Sequence, residues 1–441
     1  MKRAALVSPT FVLVHVVALH LFVAWFLHRR AADVQPPQTA AEIALAEAAD
    51  PETEPANPLD QYAPPIHRPG ALDLSRMYRE DGHILADLGH GWTAELTTDA
   101  DLQAMATRIL NRGKVPFGAV VVLDPKTGDV LALADRYDER HPIAPKLSAD
   151  GPPHLALRAI APSASVFKLV TAAALMDDAG VSPRRAYPYA TAKRRLRKSH
   201  LGDLKPGAPR ATLGDAVARS NNGLIGRLAD QKLERLTLEK ATRRFAFNTV
   251  VPFPLLTDPS TATVPRNRLE RARMAAGFWH NRLTPLHGAL LAAAVARDGT
   301  MPAPRLVRRL RAPDGRVVDA PTREPLTTAM RPATAKKLRR MMAATFTEGT
   351  GRRAFKKWPT KKVRRVSVAG KTGSLARRTP YTSYTWFVGF APVDDPQIAI
   401  AVMVGNSELW WQRAIDVARD VVAAHFQLQK KRAEARTVAR K

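Results

Sequence analysis

Cysteine is absent from this 441-residue chain. Disulfides, thiol nucleophiles, thiolate metal sites and a lipid-modified cysteine anchor are therefore excluded. The absence fits an oxidising compartment without requiring one. Acidic residues are scarce, with 40 Asp and Glu against 68 Lys and Arg, a formal net charge of +28. No His-Glu-x-x-His or similar spacing occurs, and the twelve histidines are scattered as surface or core residues would be. Neither metal nor cofactor is expected. No internal repeat is present, which argues against a solenoid.

Residues 4–27 are apolar apart from Ser8, Pro9, Thr10, His15 and His20, a length that fits one membrane-spanning helix. A cleaved signal peptide is the competing reading. The segment is long for that, and His28-Arg29-Arg30 stands where a small-residue cleavage site belongs. Residues 1–30 are therefore read as an uncleaved anchor. Residues 31–72 are rich in Ala, Pro and Glu, the composition of an extended tether. Basic clusters lie at 193–198, 352–365 and 430–441. Such charge first suggests nucleic acid, but an anchor and the motifs below argue against it. Attraction to anionic lipid or wall polymer and plain solvated charge are the two readings that stand.

Three short motifs follow one another in order: Ser165-Val166-Phe167-Lys168, Ser220-Asn221-Asn222 and Lys371-Thr372-Gly373. Pro162 and Ser163 read as helix-start signals before an apolar run. A serine on a first helical turn sits among unpaired N–H groups, so the Ser165 N–H is a natural half of an oxyanion hole. Lys168 shares its helix face three residues on. A serine hydroxyl needs a base beside it, and lysine is a base only when neutral. Bringing its pKa from about 10.4 to about 7–8 takes roughly 4 kcal/mol. Burial and a second cation, Lys371, both push that way.

Ser220 follows an expected helix over 212–219 and is placed to pass a proton between Lys168 and a leaving nitrogen. The Asn222 amide can both donate to and accept from a substrate peptide bond. Residues 366–370 alternate as a strand leading into Lys371, Thr372, Gly373 and Ser374. Lys371 and the Thr372 hydroxyl are expected to hold a carboxylate. Gly373 lets a substrate backbone lie close, and the Ser374 N–H completes the oxyanion hole. Each motif alone is common; the ordered set describes an active-site serine enzyme that forms an acyl-enzyme. A second Lys-Thr-Gly, at Lys126-Thr127-Gly128, lies between apolar runs and reads as a hairpin turn.

On these motifs the chain resembles the penicillin-binding transpeptidases, serine D,D-acyltransferases that cross-link peptidoglycan, from about Thr93 to Gln427. Residues 92–103 are similar to the family's first strand and helix, 118–134 to its first two sheet strands. Residues 283–300 are similar to the helix after its second motif, 384–392 and 397–404 to its last two strands. The resemblance implies an α+β fold like that of the serine β-lactamases: a five-stranded antiparallel sheet flanked by helices, with an inserted helical lobe and the active site between them. It implies Ser165, Lys168 and Ser220 as catalytic residues, and Asn222, Lys371, Thr372, Gly373 and Ser374 as substrate-binding residues. Ala164 stands where many relatives have glycine.

The expected organisation is an anchor (1–30), a linker (31–72), a short pre-domain segment resembling the start of a pedestal domain (73–100), a transpeptidase domain (101–428) and a basic tail (429–441). A class B-like enzyme without a pedestal is expected, working on the outer side of the cytoplasmic membrane. Its partners would be stem peptides, β-lactams, the membrane and other cell-wall synthesis proteins, and not nucleic acid. A serine β-lactamase or D,D-carboxypeptidase is the first rival, a non-catalytic β-lactam sensor or scaffold the second.

Overall fold

The computed structural model describes residue 66 and residues 70–152, 154–192, 195–356, 366–408 and 412–438. The expected anchor lies outside the described residues, as do nearly all of the linker and the larger part of the 352–365 basic cluster. Among the described residues no helix is long and apolar enough to cross a membrane.

The pre-domain segment folds into three strands, β1 (Met77–Glu80), β2 (His83–Gly89) and β3 (Trp92–Leu96). They pair in sequence as antiparallel neighbours. Helix α1 (Ala100–Arg112) follows; the Asp99 carboxylate caps it by accepting from the N–H groups of Asp101 and Leu102. Strands β4 (Phe117–Leu123) and β5 (Val130–Tyr137) flank the 126–128 turn, where Asp124 Oδ1 accepts from the Lys126 and Thr127 N–H groups. That Lys-Thr-Gly is a hairpin turn, as expected.

The helical lobe comprises α2 (Lys168–Asp177), α3 (Leu213–Ala218), α4 (Asn222–Lys232), α5 (Arg235–Arg244) and α6 (Arg268–Ala275). Helix α7 (Pro285–Ala296) opens with Thr284 accepting from the His287 N–H and Pro285 in the first turn. All twelve of its residues are buried. Such an all-round apolar helix belongs in a core. Strands β6 (Val307–Arg311) and β7 (Val317–Asp319) return to pair beside β3, giving a sheet ordered β1-β2-β3-β6-β7. Residues 73–100 are thus tied by strand pairing to residues more than two hundred positions on, and not an isolated segment.

Helices α8 (Pro332–Thr347) and α9 (Arg352–Lys356) precede β8 (Ala369–Arg378), β9 (Tyr381–Ala391) and β10 (Ile398–Asn406). The main sheet is ordered β8-β9-β10-β4-β5 and is antiparallel throughout. Strand β4 is buried along its whole length. Ala119, Val121 and Leu123 join one apolar cluster with Leu286 and Leu290 of α7. Val120 and Val122 join another with Leu102 and Leu110 of α1 and Val417 and Val421 of α10 (Ala414–Val438). Period-two alternation sends successive side chains to opposite faces, so a strand covered on both faces reads as one apolar run. The described part of the 429–441 segment is helical and continues helix α10. Arg432 pairs there with Asp99 and Asp101, and Lys430 with Glu434.

Candidate active site

Ser165 lies in a tight 3-10 turn, Ala164–Phe167, that runs straight into α2. Ala164 has φ of 48°, a left-handed conformation that costs a residue with a Cβ about 1 kcal/mol. Glycine would take this conformation at less cost. Three contacts hold the turn in place. The Trp386 indole of β9 donates to the Pro162 carbonyl at 2.8 Å. The Ser163 N–H and hydroxyl both donate to Asn281 Oδ1, at 3.1 and 2.6 Å. Ser163 was expected as a helix-start signal; the helix does start there, but its hydroxyl serves Asn281 rather than capping. The third contact is Gly277, where a Cβ would stand 2.2 Å from the Ala164 carbonyl oxygen and 2.9 Å from Ser165 Cα. Its φ of 88° is glycine's own territory.

Lys168 is fully buried in the first turn of α2. Its Nζ lies 2.7 Å from Ser165 Oγ and 2.8 Å from Asn222 Oδ1, and also contacts the Ala276 carbonyl. Burial first, and the neighbouring Lys371 second, hold its pKa well below the ordinary lysine value. A neutral amine has two hydrogens and one lone pair. Asn222 Oδ1 and the Ala276 carbonyl can only accept, so they take the two hydrogens. Ser165 is the one partner with a proton to give, and it meets the lone pair. The geometry is that of a base poised on a nucleophile.

Ser220 ends the turn after α3 with φ of 56°, and Asn222 opens α4. The expected helix over 212–219 is observed as Leu213–Ala218, with Thr212 and Asp215 forming a reciprocal cap. Ser220 lines the same cleft as Ser165 and Asn222.

Strand β8 forms the edge of the main sheet and carries the third motif. Lys371 and Gly373 are buried, while Thr372 is half-buried and Ser374 exposed. Strand alternation places Lys371 and Thr372 on opposite faces of the strand. Thr372 and Ser374 line the cleft. Lys371 is fully buried, and its Nζ donates to the Thr372 carbonyl at 2.9 Å. Burial pushes its pKa down to about 7. Lys371 lies close enough to Lys168 for its charge to act there. Gly373 lies against the nucleophile turn, where a Cβ would stand 3.2 Å from Ala164 Cβ.

These residues enclose a cleft of about 340 Å³ whose wall also includes Thr350, Thr385, Trp386, Arg413 and Ile415. Among the described lining residues there is no aspartate, glutamate or histidine. Thr350, Arg413, Asn281 and Gly277 were not picked out in the sequence. Gly349 and Gly351 around Thr350 mark a turn; nothing comparable singles out Asn281, whose partner Ser163 is far off in sequence, or Arg413, which pairs with Asp416.

The family model of the penicillin binding protein transpeptidase domain matches residues 118–425. The peptidoglycan D,D-transpeptidase PbpA of Mycolicibacterium smegmatis is 32% identical over 320 residues, covering 65% of this chain and 61% of that protein. The chain thus spans about three-fifths of that relative's length. The crystal structure of PBPA from Mycobacterium tuberculosis shares 26% identity, with a TM-score of 0.61, covering 75% of this chain and 81% of that one. An imipenem acyl-enzyme complex of penicillin-binding protein A from the same organism aligns with a TM-score of 0.59 at 25% identity, covering 75% of this chain and 79% of that one.

Proposed function

Because the chain belongs to the penicillin-binding protein transpeptidase family, we propose that it is a serine D,D-transpeptidase acting on peptidoglycan stem peptides. Ser165 Oγ attacks the carbonyl of the penultimate D-Ala as its proton passes to neutral Lys168. The N–H groups of Ser165 and Ser374 hold the developing oxyanion. Ser220 conveys the proton to the departing nitrogen, the C–N bond breaks and the terminal D-Ala leaves. An acceptor amine then attacks the ester, and Ser165 recovers its proton. The free edge of β8 receives the substrate backbone as an added strand. Asn222 ligates its amide and Thr372 its carboxylate. β-Lactams enter as a second class of acyl donor.

Residues 1–30 serve as an uncleaved anchor in the cytoplasmic membrane and residues 31–72 as a tether, with the catalytic unit on the outer side. Support comes from the apolar stretch at 4–27 and from where stem peptides are found. A reporter fused after Gly70 is expected to work in the periplasm; activity confined to the cytoplasm would refute this placement.

The observation that carries transfer over hydrolysis is the cleft wall. Hydrolysis needs a water deprotonated beside the ester. No carboxylate or imidazole lines the cleft among the described residues. A penicilloyl adduct is therefore expected to persist for many minutes, with negligible antibiotic turnover, while peptide donors pass their acyl group to added D-amino acid. Rapid steady-state hydrolysis of benzylpenicillin by the purified protein would favour the β-lactamase reading instead.

A further inference from the structure

Thr350 stands between the two walls of the cleft and belongs to none of the three motifs. It follows α8 in Glu348-Gly349-Thr350-Gly351. Its N–H donates to the Ala218 carbonyl at 3.2 Å, two residues before Ser220. The approach is close, since a Cβ on Gly349 would stand 2.2 Å from that same carbonyl oxygen. Its hydroxyl lies 2.6 Å from the Thr372 hydroxyl on β8, and both residues line the cleft.

We propose that Thr350 is a positioning residue for the substrate carboxylate, acting through Thr372. This rests on Thr372 being the carboxylate's ligand. A carboxylate can only accept hydrogen bonds, so Thr372 must donate to it. The Thr372 oxygen can then only accept from Thr350. Anion binding thereby fixes one polarity for the pair: Thr350 donates to Thr372, and Thr372 to the carboxylate. A hydroxyl already accepting a hydrogen bond is a better donor.

The test compares acylation of Ser165 by benzylpenicillin and by its methyl ester, which lacks the carboxylate. Thr350→Val is expected to slow the acid about fivefold, to leave the ester unchanged, and so to shrink the preference for acid over ester. Thr350→Ser should restore that preference. Should Thr350→Val fail to fold, Thr350→Ala carries the same comparison. Equal slowing of acid and ester would show that Thr350 merely braces the cleft walls, and unchanged rates would show that it does nothing; either result overturns the proposal. Failure of the wild-type protein to be labelled by either compound would instead sink the acyl-enzyme reading, and this inference with it.

Discussion

Lys168→Ala is expected to slow acylation of Ser165 by benzylpenicillin roughly a thousandfold, the contribution of a well-placed general base. Non-covalent binding should suffer far less, because the amine is buried behind Ser165 and does not line the cleft. The pH profile adds a sign. Lys168 works when neutral, so the wild-type rate rises with pH as the lysine loses its proton and then levels off. Burial and Lys371 lower that pKa, so the rise lies well below the region near 10.4 where free lysine titrates. Lys168→Ala should lose this limb altogether. A variant that keeps the wild-type rate and profile would mean that the proton leaves Ser165 by another route.

Lys371→Ala is expected to cost on the order of a hundredfold in acylation, the effect of removing one preorganised charge or donor. Its loss removes the smaller of the two causes that depress Lys168. The Lys168 pKa should therefore rise, and the acid limb of the rate profile should move to higher pH. The Thr372 carbonyl also loses its partner, disturbing the strand that carries Thr372 and Ser374. Lys126→Ala is the matched control. Lys126 is exposed and pairs with Asp395 at 3.0 Å on the far turn of β4 and β5, so acylation should be unchanged. Equal damage from both substitutions, read as acylation rates across pH, would contradict the different roles assigned to the two Lys-Thr-Gly sequences.

Much of the site was legible because its chemistry is local. Ser165 and Lys168 sit on one helical turn, and three residues of separation suffice to bring Nζ to Oγ. The hairpin at Lys126 was legible for the same reason: the apolar run stops at Asp124-Pro125 and another begins at Val130. The burial of Lys371 within the third motif was not legible. Observed strand β8 runs through it, Ala369–Arg378, and period-two alternation then sends Lys371 inward while Thr372 faces out. The sheet that joins β3 to β6 was not legible. Its partners are far apart in sequence, and Val307-Arg308-Arg309-Leu310-Arg311 looks like a charged surface stretch. The run of cations after Lys430 reads as a solvated tail, yet Arg432 finds Asp99 and Asp101 on a distant helix. Asn281 and Gly277 act by holding backbone, and nothing in residue type alone marks such work.

Mass mapping after labelling with benzylpenicillin tests the identity of the nucleophile most directly. Opening a β-lactam expels no leaving group, so one adduct with the full mass of the antibiotic is expected. It should lie on the peptide that carries Ser165 and be absent from Ser165→Ala. An adduct on any other residue, or undiminished labelling of Ser165→Ala, would contradict the assignment.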